Sequence, residues 1–229
     1  MVVELVAMLA TLGLKRGLAE DMARRPDDEA GALADGLLLG LIAALLGAGV
    51  LVALPELVFP ATRLHPLDRW FALIIPFIVV ADIALAGLAF RHDVAAQVRA
   101  RSIIEPWVLS IAALALAFTA WKGDGMLIAY LLSMVAAAVA SLVPALRQFG
   151  WATGWRVDVA RLWALVRRNG PLAGADVAEW GARRLDIFIL GRFASAEVVG
   201  IYYVAQQLAS LPQRLKSSFD PILGPVLAR

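Results

Sequence analysis

Residues 70–90 read WFALIIPFIVVADIALAGLAF, and the only charge in that run is Asp82. A continuous apolar run of this length matches the roughly 20 residues that a helix needs to cross about 30 Å of hydrocarbon. Comparable runs begin near Leu33, Ile103, Met126, Leu172 and Val198, so with the run at Trp70 six candidate spans are legible. Composition points the same way: 61% of the 229 residues are hydrophobic and 17% charged, and the mean hydropathy is +0.77. Those values exclude an ordinary soluble domain. The runs are continuous where a β-barrel strand would alternate, and an open sheet would leave backbone groups unsatisfied in lipid. The expected fold class is all-α, a polytopic transmembrane helix bundle.

Absence of Cys removes disulfides and thiolate metal sites, and His65 and His92 fall in expected loops without a second ligand in sequence. No metal site, cofactor or nucleic-acid partner is expected. MVVELVAMLATLGL, residues 1–14, is too short to span and reads as the tail of a longer helix. The final stretch, 201–229, holds Pro212, Pro221 and Pro225 and ends inside an expected helix. The expectation is therefore a piece from the middle of a larger transporter.

Orientation follows from Lys and Arg, which collect in cytoplasmic loops. Segments 15–29, 91–101 and 147–168 hold twelve of them, while segments 55–69, 122–125 and 192–197 hold four. The first set is expected on the cytoplasmic side. Trp70 and Trp121 then fall at outer boundaries, and Trp107, Trp151, Trp155 and Trp163 at inner ones, where amphipathic rings are favoured. Between the inner boundaries, Trp151, Trp155, Val159, Leu162 and Val166 recur at helical spacing, with Arg161 and Arg168 opposite. Two readings stand: an amphipathic helix on the inner leaflet, or a linker helix packed on protein. Pro171 would open the next span.

That next span is unusual. Residues 176–193, DVAEWGARRLDIFILGRF, carry Asp176, Glu179, Arg183, Arg184 and Asp186. Five lipid-facing ionised residues would cost on the order of 15 kcal/mol on the insertion scale, far more than the neighbouring apolar side chains return. Asp176, Glu179, Arg183 and Asp186 fall within an arc of about 80° along roughly 15 Å of helix. Tyr203, Gln207, Ser210 and Arg214 form a second stripe at spacings of four, three and four. Either the charges neutralise one another, since Glu179, Arg183 and Asp186 stand at pairing distances, or the two faces line an aqueous cavity. In the cavity reading Arg183, Arg184 and Arg214 suit phosphate oxygens, which a guanidinium fork engages in a bidentate way. Asp82 has three readings: a cavity residue, a protonatable coupling site, or a hydrogen-bonded packing residue.

The string RRLDIFILGRFASAEVVGIYYVAQQLASLPQRL, residues 183–215, resembles polysaccharide exporters and oligosaccharide flippases of the multidrug/oligosaccharidyl-lipid/polysaccharide (MOP) transporter superfamily. The resemblance lies in Asp186 followed by Ile187 to Gly191, a short turn, and Val199-Gly200-Ile201-Tyr202 leading into a helix with Ala205 and Leu208. It implies a MATE-like two-lobe fold. Residues 1–146 would hold the end of helix 2 and helices 3–6 of the first lobe, 147–170 a cytoplasmic inter-lobe linker, and 171–229 helices 7 and 8 of the second lobe. It also implies a multi-pass protein of the bacterial cytoplasmic membrane, serving polysaccharide or lipopolysaccharide assembly. Such a protein moves a polyprenyl-pyrophosphate-linked oligosaccharide across the bilayer by alternating access. Cavity residues would be Asp176, Glu179, Arg183, Arg184, Asp186, Tyr203, Gln207 and Arg214. A proton or sodium ion would couple through Asp82, Asp176, Glu179 or Asp186.

Two other classes remain open on sequence. A cation-coupled multidrug antiporter needs the carboxylates without the arginines. A membrane-embedded polyprenyl-sugar glycosyltransferase or ligase needs an acidic catalytic motif on an outer loop. The outer segments 54–70, 122–125 and 192–197 offer no such constellation, so no catalytic residue is assigned.

Overall fold

The computed structural model describes residues 2–54, 71–119, 124–152 and 154–210. All regular structure among these residues is helical. Expectations placed on segment 55–69, His65, Trp70, Trp121, Arg214 and the prolines from Pro212 onward lie outside the described residues.

Among the described residues, four helices are long and apolar enough to cross a membrane: Glu29–Ala53, Phe71–Phe90, Val94–Ala117 and Gly125–Phe149. In chain order the elements are α1 (Val2–Ala10), α2 (Leu14–Arg24), α3 (Glu29–Ala53), α4 (Ile74–Phe90), α5 (Val94–Gln97), a π-helical stretch (Val98–Ile104), α6 (Glu105–Ala117), α7 (Gly125–Phe149), α8 (Val159–Phe193) and α9 (Ala196–Ala209). Two compact units are present, Met1–Val177 and Ala178–Arg229.

In the first unit α4 is the central helix, packed by α1, α2, α3 and α7. Its Ile74, Ile75, Val79, Ile83 and Leu88 are fully buried. Close approach is achieved with small residues, as is usual where lipid supplies no hydrophobic drive between helices. A Cβ on Gly40 of α3 would stand 2.2 Å from Ile83 Cδ1, and α7 turns Ser133, Ala137, Ala138, Ser141 and Ala145 inward. α6 buries none of its residues. Helix starts are capped by side chains that satisfy orphan N–H groups. Asp28 accepts from Gly31 N at 3.0 Å, Asp93 from Ala96 N at 3.0 Å, and Asp158 from Ala160 N at 2.9 Å.

Four differences from the sequence reading bear on the site. Residues 14–24 form α2 instead of a cytoplasmic loop, separated from α1 by a break at Leu12 and Gly13, whose φ values are 50° and 74°. The third span begins at Val94, not near Ile103, so Arg99 and Arg101 are helical. Pro171 lies inside α8 and opens no new helix. A mid-helix proline forfeits a hydrogen bond and costs about 3 kcal/mol, yet the helix continues, with Asn169, Leu172 and Ala173 in close contact with Gly13 of the break and Asn169 and Leu172 with Gly17 of α2. Finally, the inward stripe of α8 is Leu162, Leu165, Asn169 and Asp176. Trp151, Val159 and Trp163 are largely exposed. Spans expected from Leu172 and Val198 are helical where described, but neither α8 nor α9 joins the four apolar helices.

Candidate functional site

Charges of the first unit fall into two tiers. The deeper tier is built on α2, α4 and the π stretch. Asp82 stands eight residues, about 12 Å, from the end of α4, close to half the hydrocarbon thickness. Lys15 Nζ lies 2.8 Å from Asp82 Oδ2, and Arg101 forms a close ion pair with Asp82 Oδ1. Arg101 also donates to Glu105 Oε2 at 2.9 Å, one turn along its own helix. The π-helical widening at Val98–Ile104 carries Arg101, and such widenings recur at functional sites. Beside this group Arg16 Nε lies 3.0 Å from Asp176 Oδ1. Asp176 is 8% exposed, and its Oδ2 finds no donor among the described residues. The side chains of Lys15 and Arg16 are 45% and 53% exposed at this depth.

The second tier lies about 9–14 Å along the helices from the first, at the end where α2 finishes and α3 begins. Asp35 is fully buried. It accepts from Arg25 Nη1 at 2.9 Å and from Trp155 Nε1 at 2.8 Å, and Arg161 Nε lies 2.9 Å from its Oδ2. Asp21, also buried, accepts from Arg168 Nη1 at 2.7 Å and pairs closely with Arg25. Burial opposes the Arg25 charge, but hydrogen bonds and attraction from Asp35 and Asp21 outweigh it and raise its pKa above the ordinary guanidinium value. The cation is therefore fixed throughout the physiological range. Arg161 and Arg168, expected opposite the packed face, flank it instead, because buried carboxylates of α2 and α3 draw them in. At the same end Arg91 Nε donates to Glu29 Oε2 at 2.8 Å, and Gln148 Nε2 to Asp93 Oδ2 at 2.7 Å.

In the second unit Asp186 accepts from Tyr202 Oη at 2.8 Å, Gln206 Nε2 at 2.7 Å and Ile187 N at 2.8 Å. The register that meets Asp186 is thus Tyr202 and Gln206, one residue before the expected Tyr203 and Gln207. Tyr203 is 41% exposed, Gln207 is half-buried and Glu179 is exposed. The Arg183 and Arg184 side chains lie outside the described set.

Of the expected coupling residues, Asp82 and Asp176 both join the deeper tier, Asp82 ion-paired with Lys15 and Arg101. Lys15, Arg16, Asp21, Arg25, Asp35 and Arg101 escaped the sequence reading of the site. One signal was available, since Asp35 is a lone acid in the apolar run GALADGLLLG, as Asp82 is in its own. Among the described residues no three potential metal-ligating side chains cluster.

A profile described as polysaccharide biosynthesis protein matches residues 1–229, the whole chain. No curated protein and no solved structure matches. Four membrane-crossing helices, intramembrane ion pairs and a match along its full length agree with a multi-pass membrane protein of export or flippase type, and the chain belongs to the polysaccharide biosynthesis family of transporters and flippases.

Proposed function

We propose that the protein moves a polyprenyl-pyrophosphate-linked oligosaccharide across the bacterial cytoplasmic membrane by alternating access. The observation that carries this reading is the exposure of Lys15 and Arg16, 45% and 53%, near the middle of the hydrocarbon. Half-exposed cations facing lipid at that depth would be costly, so they face water. Hydrated ammonium and guanidinium groups inside a membrane, with donors beyond those their carboxylate partners use, suit an anionic head group, while the polyprenyl tail stays in lipid. The sequence adds Asp176, Glu179, Arg183, Arg184, Asp186, Tyr203, Gln207 and Arg214 as further candidates for meeting the cargo. Flipping makes and breaks no covalent bond. For ion coupling Asp176 is the best-placed carboxylate, since one of its oxygens lacks a donor among the described residues. Asp82 holds two cations, and Asp186 is occupied by Tyr202 and Gln206. Cations already seated on Asp82 and Asp176 also weigh against a binding site for cationic drugs.

The test is vesicle transport of a fluorescent polyprenyl-pyrophosphate oligosaccharide beside a cationic dye. Lys15→Gln, which leaves Asp82 still held by Arg101, should slow oligosaccharide transport about tenfold, the value of one charge-assisted hydrogen bond, at unchanged abundance, and Arg16→Gln should slow it comparably per molecule of protein in the vesicle. Dye transport with no oligosaccharide transport would replace this reading with the antiporter.

A further inference from the structure

Where α2 ends against the start of α8, a cavity of about 240 Å³ is lined by Arg24, Arg25, Arg161, Arg168 and Asp21. Four guanidiniums around one small cavity are more than its carboxylates require. Arg25 bridges Asp21 and Asp35, Arg168 holds Asp21, Arg161 holds Asp35, and Arg24 pairs with the exposed Glu20. Counting Glu20, three carboxylates face four cations, leaving a surplus positive charge. Each guanidinium carries five N–H donors and no acceptor, and the contacts described use only part of them. A group rich in anionic oxygens completes such a site, and planar guanidinium forks select phosphate. Position narrows the source. The cavity lies at the end of α2, whose last residue Arg24 stands five residues before the start of α3 at Glu29, and beside the exposed Trp163; that end of the spans is the depth at which phospholipid head groups reside.

We infer that this pocket binds a phosphate group, the shared chemistry of an anionic phospholipid head group and of free phosphate. It is separate from the deeper tier and does not depend on the transport reading. Occupancy would add a further tie between α2 and the start of α8 beside the Asp21–Arg168 pair, next to the Asp35–Arg161 pair that links α3 to α8.

The chain purified in neutral detergent supplies the test. Native mass spectrometry would compare retention of phosphatidylglycerol with phosphatidylcholine, and melting would be followed with added sodium phosphate against sodium chloride at equal ionic strength. Phosphatidylglycerol should be retained about tenfold better, as expected when one charge-assisted bond is gained. Arg24→Gln should remove most of that preference without changing melting in detergent alone, because its present partner Glu20 is exposed. Arg168→Lys, which keeps charge but loses the fork, should weaken it too. Arg167→Gln, exposed and outside the lining, should leave it intact. A lipid preference with no response to phosphate assigns the site to the head group, and a rise in melting temperature with phosphate alone assigns it to the free anion. Equal retention of both lipids with no phosphate effect overturns the inference. So does an equal loss in Arg24→Gln and Arg167→Gln, which would reduce the preference to diffuse surface charge.

Discussion

Asp35 has no exposed surface and is engaged by Arg25, Trp155 and Arg161, so removing its charge takes the carboxylate from Arg161 and leaves Arg25 with Asp21 alone. Breaking a buried pair costs about 3–5 kcal/mol, and here the guanidiniums, 23% and 31% exposed, recover part of that from water. Asp35→Asn should therefore lower stability by about 2–3 kcal/mol, read as melting temperature and membrane abundance. Adding Arg161→Gln should restore part of the loss, because the two positions are in contact. Arg183 tests the opposite case. The sequence pairs it with Glu179 and Asp186, yet Asp186 already holds three donors from Tyr202, Gln206 and Ile187. Arg183→Ala should then stay abundant while export in a complementation assay is lost. Collapsed abundance, rescued by adding Glu179→Ala, would instead make Arg183 a structural counter-ion. Sequence exposes such residues only when a charge interrupts an apolar run. Asp82 was visible in this way, whereas Lys15 and Arg101 looked like loop charges because their partner lies 67 and 19 positions away.

At the scale of helices, hydropathy finds α3, α4 and α7 because their apolar runs are unbroken. It misses α2, where Lys15, Arg16 and Asp21 find partners at Asp82, Asp176 and Arg168, which no local window contains. It also splits α8 at Pro171, since local propensity cannot register the packing against α2 around that residue. That packing rests on two glycines. Gly13 has φ +74°, and a Cβ there would stand 2.5 Å from Asn169 O and 2.7 Å from Ala173 N, backbone atoms with little room to yield. A left-handed conformation costs a non-glycine residue about 1–2 kcal/mol before any clash. Gly13→Ala should accordingly destabilise by about 3 kcal/mol or more and separate α2 from α8. Gly49, where an added Cβ would meet nothing within 4 Å, provides the control: Gly49→Ala should change stability by less than about 1 kcal/mol, in the stabilising direction. Thermal melting of the two variants side by side checks the contrast, and equal behaviour would refute the role given to the break.

Across the whole chain, the all-helical membrane class was legible because hydrocarbon thickness fixes helix length and allows few alternatives. Side-chain register was not, since the Tyr202–Gln206 and Tyr203–Gln207 faces of α9 are equally spaced in sequence and only contact with Asp186 separates them. Topology can be argued from both sources. Of the twelve Lys and Arg residues in segments 15–29, 91–101 and 147–168, eight remain once Lys15, Arg16 and Arg101 of the deeper tier and Arg99 inside the span are set aside, and independent contacts bring the corresponding helix ends together: Arg91 with Glu29, Gln148 with Asp93, and the Arg91 guanidinium 5.3 Å from the Phe149 ring centre. A shared end rich in basic residues should be cytoplasmic. The helix boundaries alter the choice of reporters, because Arg99 lies more than a turn inside the span that starts at Val94. Exposed Asp27 and His92 are better placed, and for the opposite end Asp124 serves, at the start of α7. The chain has no native Cys, so each site can be read alone with an impermeant thiol reagent. In intact cells Asp124→Cys should label, whereas Asp27→Cys and His92→Cys should label only after the membrane is opened. Labelling of His92→Cys from outside would invert the assignment and move the arginine-lined cavity to the outer surface, where a different leaflet would supply its phosphate.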